Sequence, residues 1–175
     1  MIFQQTKLPG VFEIRIERVT DERGFFARSW CREEFEAHGL NPSLVQCNIS
    51  VSKRKGTLRG VHYQAAPHWE AKLVRCTRGA IYDVAVDLRP ESPTYKQWAA
   101  IVLTADDRNM AFIPEGCAHG FLTLDDETEV FYQMSEFYNA GSARGVRWDD
   151  PAFRIQWPAK VEVISERDGA YPNFE

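Results

Sequence analysis

From Val11 to Phe137 the chain is a succession of short runs, each closed by a turn of Gly, Pro, Asn or Asp. Val11–Val19 alternates strictly, with Phe12, Ile14 and Ile16 on one face and Glu13, Arg15 and Glu17 on the other. Val45–Ser52, Leu58–Gln64, Lys72–Arg78, Ile81–Leu88, Trp98–Thr104, Met110–Ile113, Leu122–Leu124 and Glu129–Phe137 read as further strands. Trp98–Thr104 is almost wholly apolar, which predicts burial on both faces. Only Arg32–His38 reads as a clear helix, with Gly39 placed to cap it. No interval is long enough for repeated crossover helices, so a βαβ fold is excluded and an all-β sandwich or barrel is expected. Ser165–Glu175 shows no regular element.

The stretch Gly56–Lys72, G-T-L-R-G-V-H-Y-Q-A-A-P-H-W-E-A-K, departs from a purely structural strand. Alternation puts Leu58, Gly60, His62 and Gln64 on one face and Arg59, Val61 and Tyr63 on the other. Taken alone, His62 fits a hydrogen-bonded core histidine as well as the start of a polar pocket. Gln46, Asn48, Ser50 and Ser52 make a polar face that suits solvent or a pocket. Phe25, Phe26 and Trp30 suit a core or the cover of a neighbouring subunit. Arg23, Arg59 and Arg75 are candidates for phosphate, with surface ion pairs as the alternative. Arg59 has the wrong parity to join His62 unless the strand bends or bulges.

Composition removes several classes. The 175 residues carry 21 basic and 25 acidic side chains, interspersed, so a nucleic-acid surface is not expected. No apolar run reaches bilayer length and no signal pattern opens the chain, so no membrane partner is expected. Cys31, Cys47, Cys76 and Cys117 lack the spacing of a zinc site or disulfide framework, which points to a reducing, cytoplasmic compartment. Neither G-x-G-x-x-G nor G-x-x-x-x-G-K occurs. A single domain spanning 1–175 is expected.

His62, Lys72, His119, Tyr132 and Asp168 are scattered, but strands of one barrel can bring them to one cavity. There is no H-x-H pair, so no metal site is expected. A metal-free acid–base set fits better. A histidine takes up the proton, an aspartate fixes its tautomer, a lysine faces an oxyanion and a tyrosine carries a second proton. Each residue singly also has a structural reading, Lys72 at the surface and Tyr132 in a core or interface.

Taken together, the motifs are similar to those of the dTDP-4-dehydrorhamnose 3,5-epimerase family. They are D-E-R-G-F-F at Asp21–Phe26, L-R-G-V-H-Y-Q at Leu58–Gln64, K-L-V-R-C at Lys72–Cys76 and D-V-A-V-D-L-R at Asp83–Arg89. E-S-P-T at Glu91–Thr94, I-P-E-G-C-A-H-G-F at Ile113–Phe121, R-W-D-D-P, I-Q-W-P and S-E-R-D at Ser165–Asp168 follow in order. The resemblance implies a cupin-type double-stranded β-helix (jelly roll) with short peripheral helices. It implies an enzyme without cofactor that inverts C3 and C5 of a nucleotide-linked 4-keto-6-deoxyhexose through an enolate. His62 would be the base, Asp168 its partner, Lys72 the enolate stabiliser and Tyr132 the acid. His119 would stand near Lys72, and Gln46, Asn48, Arg59, Tyr138, Arg23 and Phe26 would meet the substrate. A homodimer with exchanged N-terminal strands is also implied, with Arg23 lent by the partner.

Two departures touch the substrate region. Glu70 stands where the family usually has glutamine, with an unusual Trp69 beside it, and Ala143 replaces an expected glutamate in N-A-G-S-A-R. These leave three other readings in play: a single-site epimerase on a dTDP-, CDP- or GDP-sugar, a metal-dependent cupin, and a non-catalytic sugar-nucleotide binder.

Overall fold

The computed structural model describes residues 1–174; Glu175, the end of the tail, lies outside the described residues. The strands are β1 (Ile2–Gln5), β2 (Phe12–Arg15), β3 (Val19–Asp21), β4 (Gly24–Phe26), β5 (Gln46–Ser52), β6 (Leu58–Gln64) and β7 (Lys72–Arg78). They continue as β8 (Ala80–Asp87), β9 (Trp98–Thr104), β10 (Met110–Ile113), β11 (Cys117–Thr123), β12 (Thr128–Met134) and β13 (Ala143–Gly145). Helix α1 (Arg32–Ala37) precedes β5, and α2 (Glu166–Gly169) closes the chain. One sheet has the order β1-β2-β10-β7-β12-β5 and the facing sheet β13-β6-β11-β8-β9, while β3 and β4 form a separate hairpin. Every strand pairing is antiparallel. The fold is the cupin-type jelly roll that the motifs imply.

Three apolar layers follow from the alternation. Between the sheets lie Leu8, Val11, Val74, Cys76, Ile81, Ala85, Leu103, Ile113, Phe121 and Val130. Outside the first sheet, Phe12, Ile14, Leu73, Met110 and Phe112 are covered by Phe35 of α1 and by Leu40. Outside the second, Val61, Val84, Val86 and Ala118 are covered by Val146, Phe153, Trp148 and Trp157. Along β7 and β12 the inward rows begin in the core at Cys76, Val74 and Val130 and end at Lys72 and Tyr132. One end of the jelly roll is thus filled with hydrocarbon and the other is left as a polar cavity.

Several elements differ from the sequence expectation. Strand β9 fully buries only the row Ala99, Ile101 and Leu103, which faces the other sheet; the opposite row is only partly covered and leaves Val102 exposed. Strands β7 and β8 follow one another through Gly79, as the sequence suggests, and Gly79, with φ of 75°, carries the chain from one sheet to the other. The short pieces β1, β13 and α2 give no periodicity long enough to read. Helix α2 is a single turn, started by Ser165 accepting a hydrogen bond from the Asp168 amide.

The decisive irregularity lies between β6 and β11. His119 pairs with His62, then Phe121 pairs with Arg59, so Gly60 and Val61 stand opposite the single residue Gly120. This bulge restores to Arg59 the facing that simple alternation denies it, and Arg59 and His62 both line the cavity while Val61 packs outward. It also requires glycine. Gly60 has φ of 130°, and a Cβ there would lie 2.5 Å from the Gly120 Cα. We expect Gly60→Ala to cost about 2 kcal/mol or more in urea unfolding, from positive-φ strain plus overpacking. An unchanged unfolding midpoint would contradict that assignment.

Candidate active site

A cavity of about 730 Å3 opens between the sheets at the polar end. Gln46, Asn48 and Ser50 of β5, Lys72 of β7 and Tyr132 and Met134 of β12 line it from one sheet. Arg59, His62 and Gln64 of β6, with His119 and Phe121 of β11, line it from the other. The loop residues Glu70 and Tyr138, Ala143 and Arg144 of β13, and Ser165, Arg167 and Asp168 complete the wall.

Asp168 reaches His62 because the C-terminal segment is tied down beside β6. Thr57 forms a parallel bridge with Val163, and the Leu58 amide donates to the Val163 carbonyl at 2.8 Å. Ser165 then starts the turn that carries Asp168 inward. The His62 Nε2 donates to Asp168 Oδ1 at 2.7 Å, and the Gly60 amide, freed by the bulge, donates to Oδ2 at 3.1 Å. Burial alone would raise the Asp168 carboxyl. The bond and charge of His62, the Gly60 amide and the Ser165 hydroxyl outweigh it and hold the group below the usual carboxylate range. With Nε2–H committed to a carboxylate, Nδ1 is the basic nitrogen of the neutral ring.

Lys72 is not a surface residue: it is buried, which a lysine tolerates only with a partner. Its Nζ meets Glu70 Oε1 at 2.8 Å and lies 3.5 Å from the His62 carbonyl. The Tyr132 phenol is pushed up by burial and then by the Glu70 charge, against a smaller pull from Arg59. It is therefore a neutral phenol near pH 7, with a proton to give. His119 forms a second pair, its Nε2 donating to Asp83 Oδ2 at 2.7 Å. The two histidines are each bound to their own carboxylate, and among the described residues no three His, Cys, Asp or Glu side chains gather as a metal would need.

The cavity thus unites His62, Lys72, His119, Tyr132 and Asp168 with Gln46, Asn48, Arg59, Glu70 and Tyr138. It does not include Arg23 or Phe26. Both sit on the β3–β4 hairpin, where Phe26 is 75% exposed and Arg23 pairs with Asp21. Arg75 lies on the outer face of its sheet over the Phe131 ring. Arg144 and Arg167 were not anticipated, because β13 and α2 are too short to place their side chains by pattern. Gln64 is on the expected face but is spent on structure, donating to the His68 and Phe137 carbonyls and accepting from the Asn139 amide.

The family model for dTDP-4-dehydrorhamnose 3,5-epimerase matches residues 5–175. The enzyme of that name from Sinorhizobium fredii is 41% identical over 175 residues, covering 99% of this chain and 90% of its own. This chain belongs to the dTDP-4-dehydrorhamnose 3,5-epimerase family. Two crystal structures of family members superpose closely. That from Elizabethkingia anophelis has a TM-score of 0.96 at 37% identity, covering 99% of this chain and 96% of the other. That from Bacillus anthracis, with TDP and PPi bound, has a TM-score of 0.94 at 39% identity and covers 99% of each chain.

The depressed Asp168 carboxyl makes a pH prediction for this family member. Its contribution to stability is complete above the unfolded value, about 3.9, and is lost as pH falls through the lower folded value. Asp168→Asn should therefore lower stability at neutral pH and lose less than the parent on acidification below about pH 4. Urea midpoints measured against pH test this, and parallel curves for the two proteins would contradict it.

Proposed function

We propose that this protein inverts C3 and C5 of a dTDP-4-keto-6-deoxyhexose, most simply dTDP-4-dehydro-6-deoxy-D-glucose, through an enolate and without a metal. The observation that carries this reading is the placement of His62, with Asp168 behind it, on one sheet and Tyr132 on the facing sheet, with buried Lys72 in the same cavity. Inversion needs a proton removed from one face of the ring and returned to the other, and the two sheets supply the two faces.

The 4-keto group acidifies C5–H and C3–H. His62 Nδ1 takes the C5 proton, and the C–H electron pair moves into the ring as the C4 oxygen becomes an oxyanion facing Lys72. Asp168 stabilises the imidazolium. The Tyr132 phenol then donates its proton to the opposite face of C5, the carbonyl reforms, and solvent resets both groups. The cycle repeats at C3. Four cations, Arg59, Lys72, Arg144 and Arg167, line the cavity against two carboxylates, Glu70 and Asp168. That local excess, in a chain of net charge -4, suits a nucleoside diphosphate.

A homodimer belongs to the same proposal. Ile49 and Val51 of β5 are 66% and 49% exposed on the outer face of their sheet, and Phe131 pairs opposite Ile49. The exposed hairpin bearing Arg23 and Phe26 suits a second copy, whose cavity it would complete. The cytoplasm is the proposed compartment, since its reducing conditions suit four free thiols. Among the described residues no helix is long and apolar enough to cross a membrane.

Two variants test the roles. His62→Asn should lower turnover by about a thousandfold, the scale of a lost general base, with the fold retained. Tyr132→Phe should keep exchange of the C5 hydrogen with solvent while losing inversion. Full turnover in the first variant would remove His62 from the mechanism. Equal loss of exchange and inversion in the second would remove Tyr132 as a dedicated acid.

A further inference from the structure

Glu70 is a carboxylate set into the cavity wall where an uncharged side chain would be cheaper to bury. It is 7% exposed. Its Oε1 is committed to Lys72 at 2.8 Å, while Oε2 is enclosed and has no hydrogen-bond partner. A carboxylate has four accepting positions and no donor, so the group stands in the site with accepting capacity unused. Glu70 is part of the cavity wall, and its Oε1 has a second accepting position beyond the one that meets Lys72. Its neighbours fix what it can meet. Lys72 faces the substrate carbonyl in the epimerase reading, so the carboxylate beside Lys72 lies next to the substituents that flank that carbonyl. One flank, C5, carries a methyl group, which cannot bond to a carboxylate. The other, C3, carries a hydroxyl, which can.

We propose that Glu70 is a specificity residue that accepts a hydrogen bond from the C3 hydroxyl of the substrate, so that this enzyme selects 4-keto sugars hydroxylated beside the carbonyl. Glutamine at this position both donates and accepts, and tolerates other substituents there; glutamate, as an acceptor only, demands a donor. A substrate without that hydroxyl leaves the buried carboxylate short of a bond, which is the situation in which enzymes discriminate most strongly. Because Glu70 also raises the Tyr132 phenol, it stands close enough to the reacting groups for the contact to act on the chemistry as well as on binding.

The proposal rests on the epimerase reading, and its test separates the two. C5 hydrogen exchange in deuterated water is measured as kcat/KM for dTDP-4-dehydro-6-deoxy-D-glucose and for its 3-deoxy counterpart, both of which carry the C5 hydrogen. The parent enzyme should prefer the hydroxylated substrate by about a hundredfold, the range of a hydrogen bond to a charged group, and Glu70→Gln should narrow the preference to about tenfold. A purely structural role, or one confined to pairing Lys72, moves both substrates by one factor and leaves the ratio unchanged, which would overturn the proposal. Equal rates for the two substrates with the parent enzyme would overturn it without any variant. Exchange of neither substrate would overturn the epimerase reading and this proposal with it.

Discussion

The close approach of Gly60 to Gly120 is the constraint on which the site depends. It is a backbone contact that no side chain can replace, since a Cβ on either glycine would meet backbone atoms of the facing strand within 3 Å. The bulge built there does three things in one turn of chain. It rotates Arg59 onto the face of His62, sends Val61 into the outer apolar layer, and releases the Gly60 amide from the ladder so that it can donate to Asp168. His62, its partner carboxylate Asp168 and the cationic wall residue Arg59 are therefore fixed by the same piece of backbone. The proposed catalytic constellation is thus held on rigid strands, with its supporting hydrogen bonds built in.

The second organising feature is that the buried carboxylates in and behind the cavity wall each have a partner: Asp168 with His62, Glu70 with Lys72, Asp83 with His119. The pairs differ in what they leave free. The first leaves a basic nitrogen, and the second leaves an ammonium beside a carboxylate with an unused oxygen. The third is more enclosed and supports the wall, with His119 directly opposite His62 across the strands. In the proposed chemistry the first two act at the carbonyl, while burial and then the charge on Glu70 raise the Tyr132 phenol.

The fold class was legible because the strands are short and their period is two, and because no interval offers a crossover helix. The resemblance named the architecture from its motifs. The interior rows were legible where alternation is regular, as with Gln46, Asn48 and Ser50. Arg59 was expected in the cavity from the motifs, and from parity only if the strand bulged; the bulge itself gives no periodic signal, and only the glycine at position 60 marks it. Strand β13 and helix α2 escaped because three or four residues carry no pattern, and with them went Arg144, Arg167 and the path by which Asp168 reaches His62. Arg23 and Phe26 lie away from the cavity of their own chain, on an exposed hairpin.

In the proposed reaction one cavity removes and returns protons at both carbons beside a carbonyl. Proton NMR of dTDP-4-dehydro-6-deoxy-D-glucose in deuterated water, with the metal-stripped protein, follows both carbons at once. Deuterium is expected at both C3 and C5 together with inversion of both centres. Deuterium at only one carbon, or at neither, would contradict it.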